Sequence, residues 1–213
     1  MNRKRIMAGM GIPVLVMSLF FFASDIWGLL TITGRMTGGG SIFLDGNPQT
    51  GDPDLVDGFP APDGTRITHS FQLHCALTDE QGNPIINPPN NLQVNVHLPD
   101  GLDHRFHLEE LTSGECLRDE SNLERPAPPK NSENYWYDGA GTGRYDGVAG
   151  FCADWIFTDE GEPGTDDRIV SLRIWTGPDC VNGTGATFVL SIFGPGHVLT
   201  FGNHQAHRAT GSQ

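Results

Sequence analysis

The chain has 213 residues, of which 13 are basic and 26 acidic, for a formal net charge of −13 at pH 7. A chain this acidic repels nucleic acid and anionic lipid headgroups, which argues against partners of either kind. Its length admits one domain or two small ones.

The N-terminal segment has the features of a targeting sequence. Asn2-Arg3-Lys4-Arg5 is a cationic start, and Ile6 to Ala23 is an uncharged, mostly apolar run of 18 residues ahead of Asp25. Basic residues before an apolar run are what the export machinery recognises, and the charges stay on the cytoplasmic side. Eighteen residues lie at the border between a signal-peptide core and a spanning helix. The cleavage site is poor, because Phe21 stands at −3 to Ala23, and Ile26-Trp27-Gly28 is only a tolerable alternative. Residues 1–35 are therefore expected to be a signal peptide, or an uncleaved signal anchor, with a short linker. Either outcome makes the remainder secreted or part of the cell envelope, touching a membrane only through this segment. No cysteine precedes Cys75, which speaks against a lipid anchor. From residue 36 onward nine basic and 25 acidic residues remain, a net charge of −16.

Residues 36–213 are expected to form one domain. A short strand is predicted at Ser41 to Leu44, followed by residues 45–64, where Gly, Pro and Asp dominate and predict a long loop or insertion. Strict alternation then begins. Ile67, His69, Phe71, Leu73 and Cys75 share one face of a strand, and Leu92, Val94 and Val96 form a second row. Arg105 to Leu111 is a shorter strand, overlapping the one ambiguous stretch, Phe106 to Glu115. Residues 119–134 form a second insertion around Arg125-Pro126-Ala127-Pro128-Pro129, extended because prolines lack an amide donor. Gly143 to Val148, then the rows Phe151-Ala153-Trp155-Phe157, Val170-Leu172-Ile174 and Phe188-Leu190-Ile192, and finally His197 to Phe201 complete the set. Eight or nine short antiparallel strands with Gly/Pro punctuation and no amphipathic helix predict an all-β fold, a β-sandwich or a jelly-roll-like barrel.

Four cysteines, Cys75, Cys116, Cys152 and Cys180, suit two disulfides in an exported domain, and three pairings are open. Sequential pairing, Cys75–Cys116 and Cys152–Cys180, closes the shorter loops and is favoured.

Several motifs in order resemble a known domain. They are Thr37-Gly38-Gly39-Gly40-Ser41-Ile42-Phe43, Arg66 through Cys75, Asn90 to Asn95, and Arg105-Phe106-His107-Leu108-Glu109 with Cys116. Gly141-Thr142-Gly143-Arg144-Tyr145, Trp155 to Asp159, Gly161 to Gly164 and Gly202-Asn203-His204-Gln205-Ala206-His207 follow. Together they resemble a recurrent domain of exported bacterial proteins, the post-COAP-type domain, over nearly all of residues 36–207. The resemblance implies compartment and fold more than function, since that family has no established activity. It implies one cysteine pair, at Cys75 and Cys116, so that Cys152 and Cys180 are an addition here.

Three groups of residues are candidate sites. His69, His74, His107, His204 and His207 sit inside the quoted motifs, and imidazoles in such numbers could hold a transition metal. The plainer alternative is hydrogen bonding across a sheet. Asp159, Glu160, Glu162, Asp166 and Asp167 supply five carboxylates in one turn, the hard oxygen ligands calcium prefers, although without EF-hand spacing. Calcium is thus the one candidate cofactor. Tyr135, Trp136 and Tyr137 are a candidate ligand platform, against the alternative that alternate rings cap the core. Asn182-Gly183-Thr184 matches a glycosylation acceptor but is more simply a turn. His107, Glu109 and Glu110 suggest acid–base chemistry only weakly, because adjacent strand residues face opposite ways. No G-x-S-x-G, H-E-x-x-H or phosphate-loop pattern occurs, so no catalytic residue is assigned. The favoured expectation is an extracellular, non-enzymatic structural, adhesive or interaction module for an unknown protein or glycan. A carbohydrate- or ligand-binding β-sandwich with calcium and a histidine-based metal enzyme are the alternatives.

Overall fold

The computed structural model describes residues 29–31, 34–44, 53–78, 84–119, 135–161, 164, 166–177, 180, 185–194 and 197–208. The predicted leader over residues 1–24, the proline-rich part of the second insertion and Asn182-Gly183-Thr184 lie outside them. The described residues contain no helix. Their strands are β1 (Leu29–Thr31), β2 (Gly34–Phe43), β3 (Leu55–Val56), β4 (Phe59–Pro60), β5 (Arg66–His74), β6 (Leu77–Thr78) and β7 (Pro84–Ile85). Then come β8 (Asn91–His97), β9 (Asp103–Asp119), β10 (Tyr135–Tyr145), β11 (Val148–Asp159), β12 (Arg168–Thr176), β13 (Thr187–Phe193) and β14 (Phe201–Arg208).

The all-β class is as expected, but the architecture is not a sandwich of eight or nine strands. One twelve-stranded antiparallel sheet runs β14-β2-β5-β8-β9-β10-β11-β12-β13-β3-β4, with β1 paired to the far end of β9. Only β6 and β7 stand apart, as a two-stranded ribbon. The sheet curls into a half-barrel and buries its own concave face. Ile67, Phe71, Leu92, Val94, Phe106, Trp155, Phe157, Leu172, Ile174 and Leu190 fill that concavity.

Glycine inside the strands explains the curl. Strand β10 carries Gly139, Gly141 and Gly143 on one face, and its pairing with β9 shifts register between Ala140 and Gly141 and again between Thr142 and Gly143. Each shift is a bulge, which bends a strand and increases its twist. A Cβ on Gly141 would run into the Glu110 carbonyl, one on Gly143 into the His107 carbonyl, and one on Gly139 would lie 2.6 Å from the Trp155 indole. The strands approach so closely only because those side chains are missing. Gly39 repeats this in β2, where an added Cβ would lie 2.7 Å from the His69 carbonyl. Gly141→Val is expected to cost about 2–3 kcal/mol by overpacking. Gly147→Ala, at φ 80° with nothing within 4 Å, should cost about 1 kcal/mol through its backbone alone. Urea unfolding of both variants compares them, and equal losses would remove the close-approach account of the curl.

Both disulfides join the expected cysteines, Cys75 to Cys116 and Cys152 to Cys180, and no described cysteine is free. Two bridges are compatible with an oxidising, extracellular location. The described part of the first insertion, residues 53–64, is more ordered than its composition suggests. Its Asp57-Gly58 pair, at φ 52° and 76°, turns β3 into β4, and Val56 and Ala61 are buried. Likewise, the stretch Gly143 to Val148 is no separate strand but the β10–β11 hairpin, turning at Asp146-Gly147. The ambiguous stretch at Phe106 to Glu115 is strand, within β9.

Candidate functional site

The fold brings two of the five predicted histidines together. His69 on β5 and His204 on β14 face each other inside the half-barrel with Nε2 atoms 2.7 Å apart. Phe71 and Phe157 surround them, with ring centroids 4.8–5.8 Å apart. The protonation pattern follows from the acceptors. His204 Nδ1 lies 2.8 Å from the Thr158 carbonyl, which can only accept, so the proton of His204 is on Nδ1. Its Nε2 must then accept from Nε2–H of His69, which leaves His69 Nδ1 as a bare lone pair. That atom is buried with no hydrogen-bond partner among the described residues. Burial holds His204 at about 4. It also pushes His69 well below the ordinary histidine value, helped by His204 and opposed by the Gly40 backbone, whose carbonyl could accept only from a protonated ring.

The other three histidines are elsewhere. His74 Nδ1 is 3.4 Å from Asn90 Oδ1, His207 Nε2 is 2.8 Å from Thr37 Oγ1, and His107 is exposed on β9. Strand parity separates them: His69 and His74, like His204 and His207, are an odd number of residues apart and face opposite ways. The five-histidine metal set is therefore not assembled. Among the described residues no three His, Cys, Asp or Glu side chains are placed to hold a metal ion.

Two of the carboxylates predicted as calcium ligands accept from backbone amides. Asp159 accepts from the amides of Gly161 at 2.9 Å and Ala206 at 2.7 Å. Asp167 accepts from the amides of Glu160 at 2.9 Å and His204 at 2.5 Å. Strand β14 is the last strand of the sheet, and its amides at positions 204 and 206 point away from its partner β2. The two buried carboxylates satisfy those amides, so the open edge is capped without another strand. Asp159 and Asp167 thus direct their oxygens inward at backbone. Asp166 is exposed, Glu160 is half-buried, and Glu162 is outside the described residues. Burial raises the Asp167 carboxyl to about 6, against the two amides and with a smaller push from Asp159 and Glu160.

The aromatic triplet does not form one platform. Tyr135 and Tyr137 are buried in the core, and Trp136 lies half-buried on the other face of β10. The Tyr137 hydroxyl donates to the His74 carbonyl at 2.9 Å, a tie between β10 and the exit of β5. Glu109 is engaged by Arg144 Nε at 2.5 Å.

A cleft that the sequence did not single out opens at one end of the sheet. It holds about 540 Å³ and is lined by Asn95, His97, Asp103, His104, Arg105, His107, Arg144, Asp146 and Gly147. At its base His104 stacks on Tyr145 at 5.6 Å and hydrogen-bonds Asp146 Oδ2 through Nδ1 at 2.8 Å. On its other side Nε2 lies 3.4 Å from Asp57 Oδ2, an ion-pair distance when the ring is protonated. Both aspartates are first residues of Asp-Gly hairpin turns, and both sit at positive φ. His104 thus joins the β3–β4 and β10–β11 turns to its own strand just after the turn at residues 98–102. The Tyr145 hydroxyl is held above its usual range by burial, then by Asp57 and Asp146. Asp-Gly turns are readable locally, but nothing in the sequence says that two of them meet on one histidine.

No known protein-family model matches this chain, and no curated protein or solved structure shows significant similarity to it, so the resemblance to exported bacterial domains rests on the motifs quoted above.

Proposed function

We propose that this protein is an exported, non-enzymatic interaction module that meets an extracellular protein or glycan with the end built around His104. The junction of three turns is the observation that carries this reading. Each turn sets a large apolar side chain into solvent two residues from the junction: Phe59 is 72%, Leu102 59% and Val148 62% exposed. Turn tips gathered on one histidine, presenting apolar groups beside a polar cleft, suit a partner that buries them. The disulfides, the acidic composition and the resemblance to exported domains support the extracellular setting.

The test is retention of purified, disulfide-bonded protein on the surface of cells that export it. The triple variant Phe59→Ser/Leu102→Ser/Val148→Ser is expected to lose retention about tenfold, as loss of a small apolar hot spot does, with its melting temperature kept. Retention equal to that of the unaltered protein would exclude this end as the contact surface.

A further inference from the structure

We infer that the cleft over β8, β9 and β10 binds a small carboxylate-bearing ligand, gripped by Arg105 with His107 and Arg144 beside it. This rests on the interaction-module reading only in taking the turn end as the working end of the molecule.

Position comes first. Arg105, His107 and Glu109 alternate along β9 and share its outer face, since side chains two apart on a strand point the same way. Arg144 on β10 stands opposite His107, and Asn95 on β8 stands opposite Arg105. Three side chains able to carry positive charge are therefore neighbours on the open face of a domain whose net charge is −16.

The nearby carboxylates are already engaged. Asp103 pairs with His97 Nδ1 at 2.8 Å, and Glu109 with Arg144. Asp146 accepts from His104 through Oδ2 and from the Arg105 amide through Oδ1 at 2.8 Å. Arg105 itself has no ion pair among the described residues. Its guanidinium makes one hydrogen bond, Nε to Asn95 Oδ1 at 3.0 Å. Asn95 is fixed in turn, donating through Nδ2 to Thr68 Oγ1 at 3.2 Å and accepting from Gln93 at 3.3 Å. With Nε held, the two Nη groups are left as a fork aimed outward, the geometry that takes both oxygens of a carboxylate. A pre-oriented guanidinium loses little freedom on binding.

Size and field narrow the ligand. A cleft of about 540 Å³ suits a molecule the size of a sugar acid. The negative field of the whole domain opposes a polyanion while allowing one localised carboxylate.

Titration calorimetry at low salt and pH 7 tests this with D-glucuronate, D-glucose and inorganic phosphate against the purified, disulfide-bonded protein. Glucuronate is expected to bind at least tenfold more tightly than glucose and than phosphate. Arg105→Gln should weaken glucuronate at least tenfold, and Arg105→Lys, which keeps the charge and loses the fork, should also weaken it. Arg173→Gln, altering an arginine paired with Asp154 away from the cleft, should leave binding unchanged. No binding of glucuronate at millimolar concentration, phosphate binding the tighter, or Arg105 variants that bind normally would each overturn the inference. If glucuronate fails while the apolar-tip variant still loses surface retention, this inference alone falls. The reverse pattern removes the module reading alone.

Discussion

Removing the Cys75–Cys116 bridge, as Cys75→Ala/Cys116→Ala, is expected to lower the unfolding free energy by about 4 kcal/mol. Urea unfolding reads the loss as a lower midpoint, with a steeper slope because the unfolded chain is less compact without the bridge. The bridge spans 41 residues and its companion Cys152–Cys180 spans 28, so chain entropy alone separates the two by only about 0.3 kcal/mol. Burial separates them further. Cys75 and Cys116 are 3% and 5% exposed and belong to the core, whereas Cys180 lies in an exposed turn. The first bridge also joins β5's exit to β9 across the end of β8, beside the Tyr137-to-His74 hydrogen bond and the Ala76 amide bonded to Gly114. Its removal opens a cavity there in addition to freeing the unfolded chain. Cys152→Ala/Cys180→Ala should therefore cost at least about 1 kcal/mol less than the first double variant. Equal losses would mean that both bridges act through the unfolded state alone.

Much of the strand content was legible because alternation is a local property. The rows at Ile67–Cys75, Leu92–Val96, Phe151–Phe157 and Phe188–Ile192 fall on β5, β8, β11 and β13. Alternation says that one face is buried, however, and not what covers it. A second sheet and the same sheet curled over both satisfy the pattern. The deciding signal lay in Gly38-Gly39-Gly40 and in Gly139, Gly141 and Gly143, which sit inside strands rather than between them and permit the bends. The same limit applies to the sites. Parity within one strand already separates His204 from His207. By contrast, the meeting of His69 with His204 depends on the glycine strand β2 lying between their strands, and that of Asp57 with His104 on curvature accumulated over many strands. The two carboxylates of the acidic turn look like ion ligands in sequence because nothing local reveals that the edge amides of β14 lie above them.

The second large effect concerns acid. Stability is expected to fall as pH drops from about 6.5 to 4. His204 is buried neutral with its folded value at about 4, so the unfolded chain takes up a proton near 6.5 while the folded chain does not. The stability present above 6.5 is lost progressively through that interval, by about 3 kcal/mol for His204 alone at 1.36 kcal/mol per unit. His69 shifts in the same direction and adds to the loss. Asp167 works the other way. Its folded value of about 6 means that the folded state binds a proton before the unfolded chain does, so stability is gained between about 6 and 3.8. Two fully buried imidazoles outweigh one carboxyl, and the net change is a loss. Asp167→Asn removes the opposing gain and should steepen the decline. His69→Leu/His204→Phe removes the proton-linked loss and should flatten it, whatever it does to stability at pH 7. Chemical unfolding at half-unit intervals from pH 7 to 4 measures all three slopes. A wild-type curve that stays level over that range, or one the histidine variant reproduces, would mean that the pair does not remain neutral inside the sheet.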